Sequence, residues 1–517
     1  MKDRLKIGWG KRSIAPDGPV PIAGQFHLRI SAGQYTPVLA SALAINNKQD
    51  AVIFVTVDMV SFPAEGLKRV QAILKKEAPE IPVEKIILNS THTHAGPSIL
   101  SAAEKFSKEV KILPPAKVLA FVTGQIAEAV KEAWNSRAPG SIAYGYGFAT
   151  AGHSRRVVYL KDVGKRNEPA SGLAVNGRAV MYGKTNDKLF DGFEAGTDAF
   201  INLLYTFDKK DRLTGAVVNV PCPAQTNENA WMLHAGFWHH VREKLTAKYG
   251  PIGVIGQAAA VGDLSPRQLF YNAAELRRYR LKYKDKIDAY MKDPMVTPFS
   301  GDWTPEQVRK QAEHDLVDFM RAEDIAGRIA DAFEEVLGWA GQEKFSDPDL
   351  RHEVRTVELS RRLFPDALVE EEKRKHEEVM NIPFKTDGTK WERLIENSRL
   401  NSRRHRIGGI LARWEKQVQE PTLTTVIHAV RLGNIAFATN RFELFMDYQH
   451  RIQARSPFEQ TFIVQLVTDL YGAGTYLATE KAVRNKGYSA SPYCNLVSPK
   501  GGQELVEETL KMLEEMK

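Results

Sequence analysis

The chain has 517 residues, 43% of them hydrophobic, with a formal charge of +8 and a pI of about 9.1. That is enough apolar content for a large core, as one big domain or two, and the basic excess is too modest, and too little interleaved with aromatics, for nucleic-acid binding. Two cysteines, Cys222 and Cys494, exclude a disulfide framework; no run is long and apolar enough for a transmembrane segment, and the first residues are too polar for a signal peptide.

In chain order, short strands and turns open the sequence through Ile7–Gly10, Ser13–Pro16 and Pro21–Gly24. Stronger strands are expected over Val38–Ile45 and Ala51–Val57, and Leu67, Val70, Ile73 and Leu74 fall at helical spacing between Ala64 and Lys76. With the strand Lys85–Leu88 this is a βαβ pattern, which implies parallel pairing. A second amphipathic helix spans about Ala116–Trp134, followed by a glycine-rich bend. Buried strands follow at Phe200–Phe207 and Gly215–Val220, then a helix entered from Leu233–His240 that continues to Ala247, and a strand at Ile252–Gly256.

From Arg267 to about Gln419 charged, helix-rich sequence dominates, with Thr304-Pro305-Glu306-Gln307 as a capping-box helix start and a strand at His352–Leu359. Amphipathic helices are expected over Val369–Val379 and Trp391–Trp414. A hairpin resumes at Val426–Leu432, turns at Gly433-Asn434 and returns over Ile435–Ala438; the strand Thr461–Val467 and a helix over Gln503–Met516 close the chain. The fold class is therefore α/β, a mixed sheet flanked by helices in a single domain, with residues 267–419 as a helical insertion or lid.

Chemistry concentrates in Asn89-Ser90-Thr91-His92-Thr93-His94-Ala95-Gly96-Pro97, at the carboxyl end of a strand, where open α/β sheets place their sites. If the backbone stays extended, His92 and His94 share one face, an arrangement that suits a zinc site or one ligand beside one proton donor. Glu443, an acid among apolar residues just after a strand, must be paired or a ligand. The adjacent Arg155 and Arg156 are surface charge unless buried, when one would hold an anion or a carbonyl.

The ordered series of segments resembles the neutral/alkaline non-lysosomal ceramidase family. The hallmark is Thr-His-Thr-His followed by Ala-Gly-Pro; Ser154-Arg155-Arg156, the turn Gly262-Asp263-Leu264-Ser265-Pro266, Phe442-Glu443-Leu444-Phe445, and Thr475-Tyr476-Leu477 with Gly487-Tyr488 match further segments. The resemblance covers nearly the whole chain as a catalytic-domain-like unit, without the C-terminal immunoglobulin-like domain of lipid-active enzymes of this type. It implies zinc held by His92, Glu443 and Tyr476, with His94 shuttling a proton. Arg155, Arg156 and Tyr488 would hold substrate, and Ser265, in the turn with Asp263, would sit beside the reacting carbonyl. Two segments depart: Thr36-Pro37 replaces the family's Asp-Pro, and Pro221-Cys222-Pro223-Ala224 replaces its second histidine ligand. A Cys222 thiolate or His234 would fill that gap, or the metal is lost or changed; His234 is expected to face the same cavity as His92.

The resulting expectation is a zinc-dependent hydrolase acting on an amide, ester or glycosidic bond of a soluble substrate, whether small molecule, glycan or lipid-derived. The alternatives are a metal-independent carbohydrate-active enzyme, a glycoside hydrolase or uronate lyase, using the same His/Tyr/Arg pocket, and a ligand-binding member without turnover.

Overall fold

Alternating side chains along the strands feed two separate cores, and that alternation stacks the molecule in layers. The computed structural model describes residues 5–99, 105–166, 172–294, 304–472 and 474–517. An eight-stranded mixed sheet runs in the order Gly253–Ala258, Leu213–Val220, Phe200–Asp208, Ala138–Phe148, Lys6–Ser13, Leu39–Asn46, Ala51–Val57, Ile86–Ser90. The outermost pair at each edge is parallel and every pair between is antiparallel. A second sheet holds Leu350–Ser360, Thr422–Leu432, Ile435–Thr439 and Gln460–Val464.

Ala42 and Ala44 face a core covered by the helices Ala64–Glu77, Pro115–Asn135 and Phe237–Tyr249 and by the second half of Pro305–Ala340. Leu43 and Ile45, from the same strand, face the second sheet. There Phe437 packs between Phe54 and Phe462, with ring centroids at 4.8 and 4.3 Å. The helices Met446–Arg455 and Pro499–Glu515 cover the far face of the second sheet. The βαβ unit is present, with Ala51–Val57 parallel to Ile86–Ser90.

The glycine-rich bend expected after Trp134 is instead the strand Ala138–Phe148, in the middle of the large sheet. Its glycines are there for close approach. A Cβ on Gly145 would lie 2.4 Å from the Trp339 ring and one on Gly147 2.7 Å from Val336, so only glycine lets the helix Pro305–Ala340 lie on the sheet.

The segment 267–419 divides into parts with different neighbours. Residues Ala322 to Ala340 join the main core, and Leu350–Ser360 is a strand of the second sheet. The helices Asn272–Lys282 and Lys284–Lys292 pack on the first half of Pro305–Ala340 through Tyr279, Tyr290, Leu316 and Phe319. The helix Lys390–Lys416, beside Asp366–Met380, borders the loops around His94, where Ser398 Oγ accepts from the Leu28 amide at 2.9 Å, and Arg267 reaches the same loops through Glu228 at 3.1 Å.

A pair of histidines fastens the two sheets. His352 Nδ1 lies 3.1 Å from the Ala51 carbonyl, and its Nε2 lies 2.9 Å from His428 Nδ1. Burial lowers the His428 pKa from 6.5 to about 4 and pushes His352 well below its usual value. The folded state thus favours neutral rings. This stability is complete above the unfolded value near 6.5 and is lost as pH falls toward the folded value near 4. For His428 alone the loss between pH 7.5 and pH 5 amounts to about 2 kcal/mol. Urea unfolding at those two pH values should show His428→Gln losing less stability on acidification than the wild type by about that amount. Equal losses would mean that this pair does not carry the acid sensitivity.

Candidate active site

The carboxyl ends of strands from both sheets meet at one rim. Ser90 donates its amide to the Leu466 carbonyl, Gln465 donates to Ala258, and Ala259 donates to Val220, so the loops following four strands are tied together. The Gln465 side chain completes the tie: its Oε1 accepts from Val261 at 3.1 Å and from Leu444 at 2.9 Å.

The motif does not continue as a strand. Pairing stops at Ser90, and His92 takes a left-handed backbone conformation with φ of 61°. A non-glycine residue held there stores roughly 1–3 kcal/mol of strain, and such positions cluster at functional sites. The alternation argument for a shared face therefore fails, yet the rings converge: His94 Nε2 lies 3.4 Å from His92 Nε2. The Val60 carbonyl, 2.8 Å from His92 Nδ1, holds the ring with Nε2 toward Glu443, whose Oε2 is 3.5 Å away. Glu443 and Tyr476 are register partners in a short parallel ladder. Arg155 joins them, its Nη2 lying 3.1 Å from the Tyr476 hydroxyl, 2.9 Å from the Gly262 carbonyl and 3.8 Å from Glu443 Oε2.

Electrostatics set the protonation states. Burial raises the pKa of Glu443, but His92 and Arg155 outweigh it and the net shift is downward, so the group is a carboxylate. Burial, then His92 and three arginines, pushes His94 well below its usual value, leaving a neutral imidazole. Burial holds the Tyr476 phenol well above its ordinary value and therefore protonated. Glu443 Oε2 and His94 Nδ1 are buried without a hydrogen-bond partner among the described residues. Unpaired buried polar atoms are uncommon, and two within one cluster call for an explanation.

The structure thus brings His92, His94, Arg155, Glu443 and Tyr476 together, and Tyr488 stacks edge-on against Tyr476 at 6.1 Å. The remaining expected residues have other tasks. Arg156 turns away from the cluster to a two-pronged pair with Glu194 and to the carbonyls of Ala482 and Lys486, bracing the loops behind Tyr488. Asp263 accepts from the Met446 amide at 3.1 Å and is pushed up to about 6 by burial. The Ser265 hydroxyl accepts from the Arg267 amide at 3.1 Å, shaping the turn that sends Arg267 to Glu228 at 3.1 Å.

Neither proposed substitute for the missing histidine is available. The Cys222 thiol is buried, donates to the Ala151 carbonyl at 3.3 Å and is pushed up by burial, away from the thiolate a ligand requires. His234 accepts from the Gly236 amide at its Nδ1 and donates to the Asn227 carbonyl from its Nε2, at 3.0 and 3.2 Å. Both ring nitrogens are used by backbone, so the expectation that His234 serves the reaction is corrected: it is a buried brace for the loop.

Sequence reading missed Glu228, Gln225, Arg29 and Gly24. Glu228 Oε2 lies 3.6 Å from His94 Nδ1 and accepts from Gln225 at 2.5 Å. Arg29, fully buried, donates to the carbonyls of Ala23 and His94. Gly24, with φ of 106°, lies so close to His94 that an added Cβ would sit 2.5 Å from its Cγ. Glu228, Gln225 and Gly24 lie in irregular segments with no periodicity to read, and Arg29, in the two-residue strand Arg29–Ile30, carries no sign of its burial in the sequence.

Among the described residues, no three His, Cys, Asp or Glu side chains form a metal cage by themselves. Two donors on one tetrahedral ion at about 2.1 Å stand roughly 3.4 Å apart. The His92–His94 and His92–Glu443 separations of 3.4 and 3.5 Å match that spacing. The Tyr476 hydroxyl, the third group the resemblance names, is held by Arg155 at 3.1 Å beside them.

No protein-family model matches the chain, and no curated protein matches it. Solved structures do. A ceramidase complexed with C2 matches with a TM-score of 0.62 at 16% identity, over 99% of this chain and 75% of that one. A neutral ceramidase from Pseudomonas aeruginosa matches with a TM-score of 0.61 at 16% identity, over 100% of this chain and 75% of that one. At this identity the likeness is one of architecture: the chain has the ceramidase-like α/β fold.

Removing the His234 ring leaves a buried amide and a carbonyl unpaired, which costs about 1–3 kcal/mol. His234→Ala should therefore lower the unfolding free energy measured in urea by that much while His92 and His94 keep their proton chemical shifts. Unchanged stability, or shifted His92 and His94 resonances, would return His234 to the site.

Proposed function

We propose that the chain is a cation-assisted hydrolase of ceramidase-like fold acting on an amide, ester or glycosidic bond. The observation that carries this reading is the buried Glu443 carboxylate, whose Oε2 meets His92 Nε2 at 3.5 Å and Arg155 at 3.8 Å without a close hydrogen bond. A carboxylate so placed, with imidazole and phenol oxygen beside it, suits a zinc-type divalent ion held by His92, Glu443 and Tyr476. When bound, such an ion supplies Lewis acidity to the scissile group and to the attacking water.

The side chains have separable tasks. His94, a neutral ring whose Nε2 faces the cluster 3.4 Å from His92 Nε2, takes the proton from the attacking water and returns it to the leaving atom. Arg155, fixed by Gly262 and Tyr476, faces the negative charge that develops on the reacting oxygen. Glu228 and Gln225 keep the His94 ring in place. Ser265 and Asp263 shape the turn that carries Arg267, and Tyr488 forms the wall beside Tyr476.

A second reading has one observation in its favour. Burial keeps Tyr476 protonated, so Tyr476 as acid and His94 as base would serve a metal-free glycosidase or uronate lyase. Chelation separates the two. A panel of chromogenic acyl amides, esters and glycosides should reveal turnover that a chelator abolishes and added zinc restores. His94→Ala should lower it roughly 10²–10⁴-fold with the fold intact. Chelator-resistant turnover would establish the metal-free reading, and wild-type activity in His94→Ala would remove this cluster from the chemistry.

A further inference from the structure

The strand Leu350–Ser360 runs on into Arg361 and Arg362, whose backbone is fixed on both sides. Arg361 donates its amide to the Pro421 carbonyl and Arg362 to the Leu496 carbonyl, each at 2.9 Å. The last turn of the helix Lys390–Lys416 lies opposite. Gln417 holds it there, accepting from the Phe364 amide at 2.8 Å and donating to the Phe364 carbonyl at 3.1 Å. Between the two segments is a cavity of about 240 Å³, lined by Arg361, Arg362, Arg413, Lys416, Gln417 and Glu420. It shares no lining residue with the His92–Glu443 cluster.

Four cations and one carboxylate line this space. The carboxylate, Glu420, is half exposed and lies 3.4 Å from Arg361. Arg362 donates from Nη1 to the Ala490 carbonyl at 2.7 Å and to Asn495 Oδ1 at 2.6 Å. Arg413 donates to the carbonyls of Gly409, Asn495 and Pro492 at 3.1, 2.9 and 2.7 Å. These acceptors are neutral, so they orient the guanidinium groups without cancelling their charge. A guanidinium has five N–H groups, and these bonds use two of Arg362's and three of Arg413's. Among the described residues no carboxylate pairs with Arg362, Arg413 or Lys416. Arg156 and Arg267 differ, being matched by Glu194 and by Glu228 and Asp318. Burial, and for Arg413 also the neighbouring Arg362, brings both side chains down to about 10, the direction expected of unmatched cations.

We propose that this cavity binds a phosphate or sulfate group, supplied as the free ion or as a small monoester. A tetrahedral dianion suits cations that converge from two sides, Arg361 and Arg362 from one, Arg413 and Lys416 from the other. A carboxylate brings a single charge and would leave most of the excess unmatched. The cavity also communicates with the neighbouring cluster. The Asn495 side-chain amide donates to the carbonyls of Tyr476 and Ser489 at 3.1 and 2.9 Å. An anion held by Arg362 and Arg413 therefore steadies the segment from Ala490 to Asn495, which lies against Tyr476, without touching the reacting groups.

The test is calorimetric titration of the full chain at pH 7.5 and constant ionic strength. The probes are inorganic phosphate, sulfate, glycerol 3-phosphate and acetate. One phosphate or sulfate per chain should bind about tenfold or more tightly than acetate. Lys416→Glu, at an exposed position, should weaken phosphate binding by about tenfold or more. Glu420→Gln, which removes the single lining carboxylate, should strengthen it, a gain that a misfolded chain cannot produce. The Asn495 side-chain amide resonances should shift as phosphate saturates, placing the ion here rather than at Arg155. Glycerol 3-phosphate binding as tightly as phosphate would support the site as one for esters; binding of the inorganic ions alone would support it as one for the free ion. Absence of binding, affinity no better than for acetate, or affinity indifferent to both substitutions would overturn the site.

Discussion

The site depends on keeping one arginine charged in a place without water. Arg155 is fully buried, and an isolated buried cation is prohibitively unstable unless it is paired. Here Gly262, Tyr476 and Glu443, from three different segments, all meet its Nη2, and Gln225 lies 3.5 Å from its Nη1. Burial alone would lower the arginine's pKa; the phenols of Tyr476 and Tyr182 and the Glu443 carboxylate reverse it, so the guanidinium stays charged. Removing any partner leaves a buried charge uncompensated, roughly 3–5 kcal/mol in comparable pairs. The network therefore fixes loop positions as much as it prepares chemistry.

Those loops are rooted in two sheets, which is why the packing between sheets matters at the rim. Phe437, between Phe54 and Phe462, fixes the second sheet against the first. Gln465 then transmits that placement to Val261 and Leu444, the neighbours of Gly262 and Glu443. At Gly262 an added Cβ would lie 2.3 Å from the Glu443 carbonyl, so no larger residue fits between the turn and the carboxylate's backbone. Precision at the cluster thus comes from apolar layers well away from it.

Strongly periodic elements were legible in the sequence: the βαβ unit, the capping box at Thr304 and the hairpin at Gly433-Asn434 all appear where the pattern placed them. What escaped was structure that depends on distant partners. Ala138–Phe148 reads as a bend because its glycines carry no β signal; their reason is a helix nearly two hundred residues away in sequence, at Val336 and Trp339. At the site, the resemblance named residues that do converge, but spacing alone misjudged their geometry. His92 and His94 meet through a left-handed turn rather than along a strand. His234 attracted a catalytic reading because a histidine at a loop–helix junction cannot be told from a brace until both ring nitrogens are accounted for.

The central proposal is that His92, Glu443 and Tyr476 would hold a cation beside a charged arginine. Calorimetric titration of zinc into chelator-treated protein tests it most directly. One ion per chain should bind, with Glu443→Gln weakening it at least a hundredfold and Cys222→Ala leaving it unchanged. Absence of binding, or binding indifferent to Glu443, would contradict the account and leave the cluster as a metal-free acid–base site.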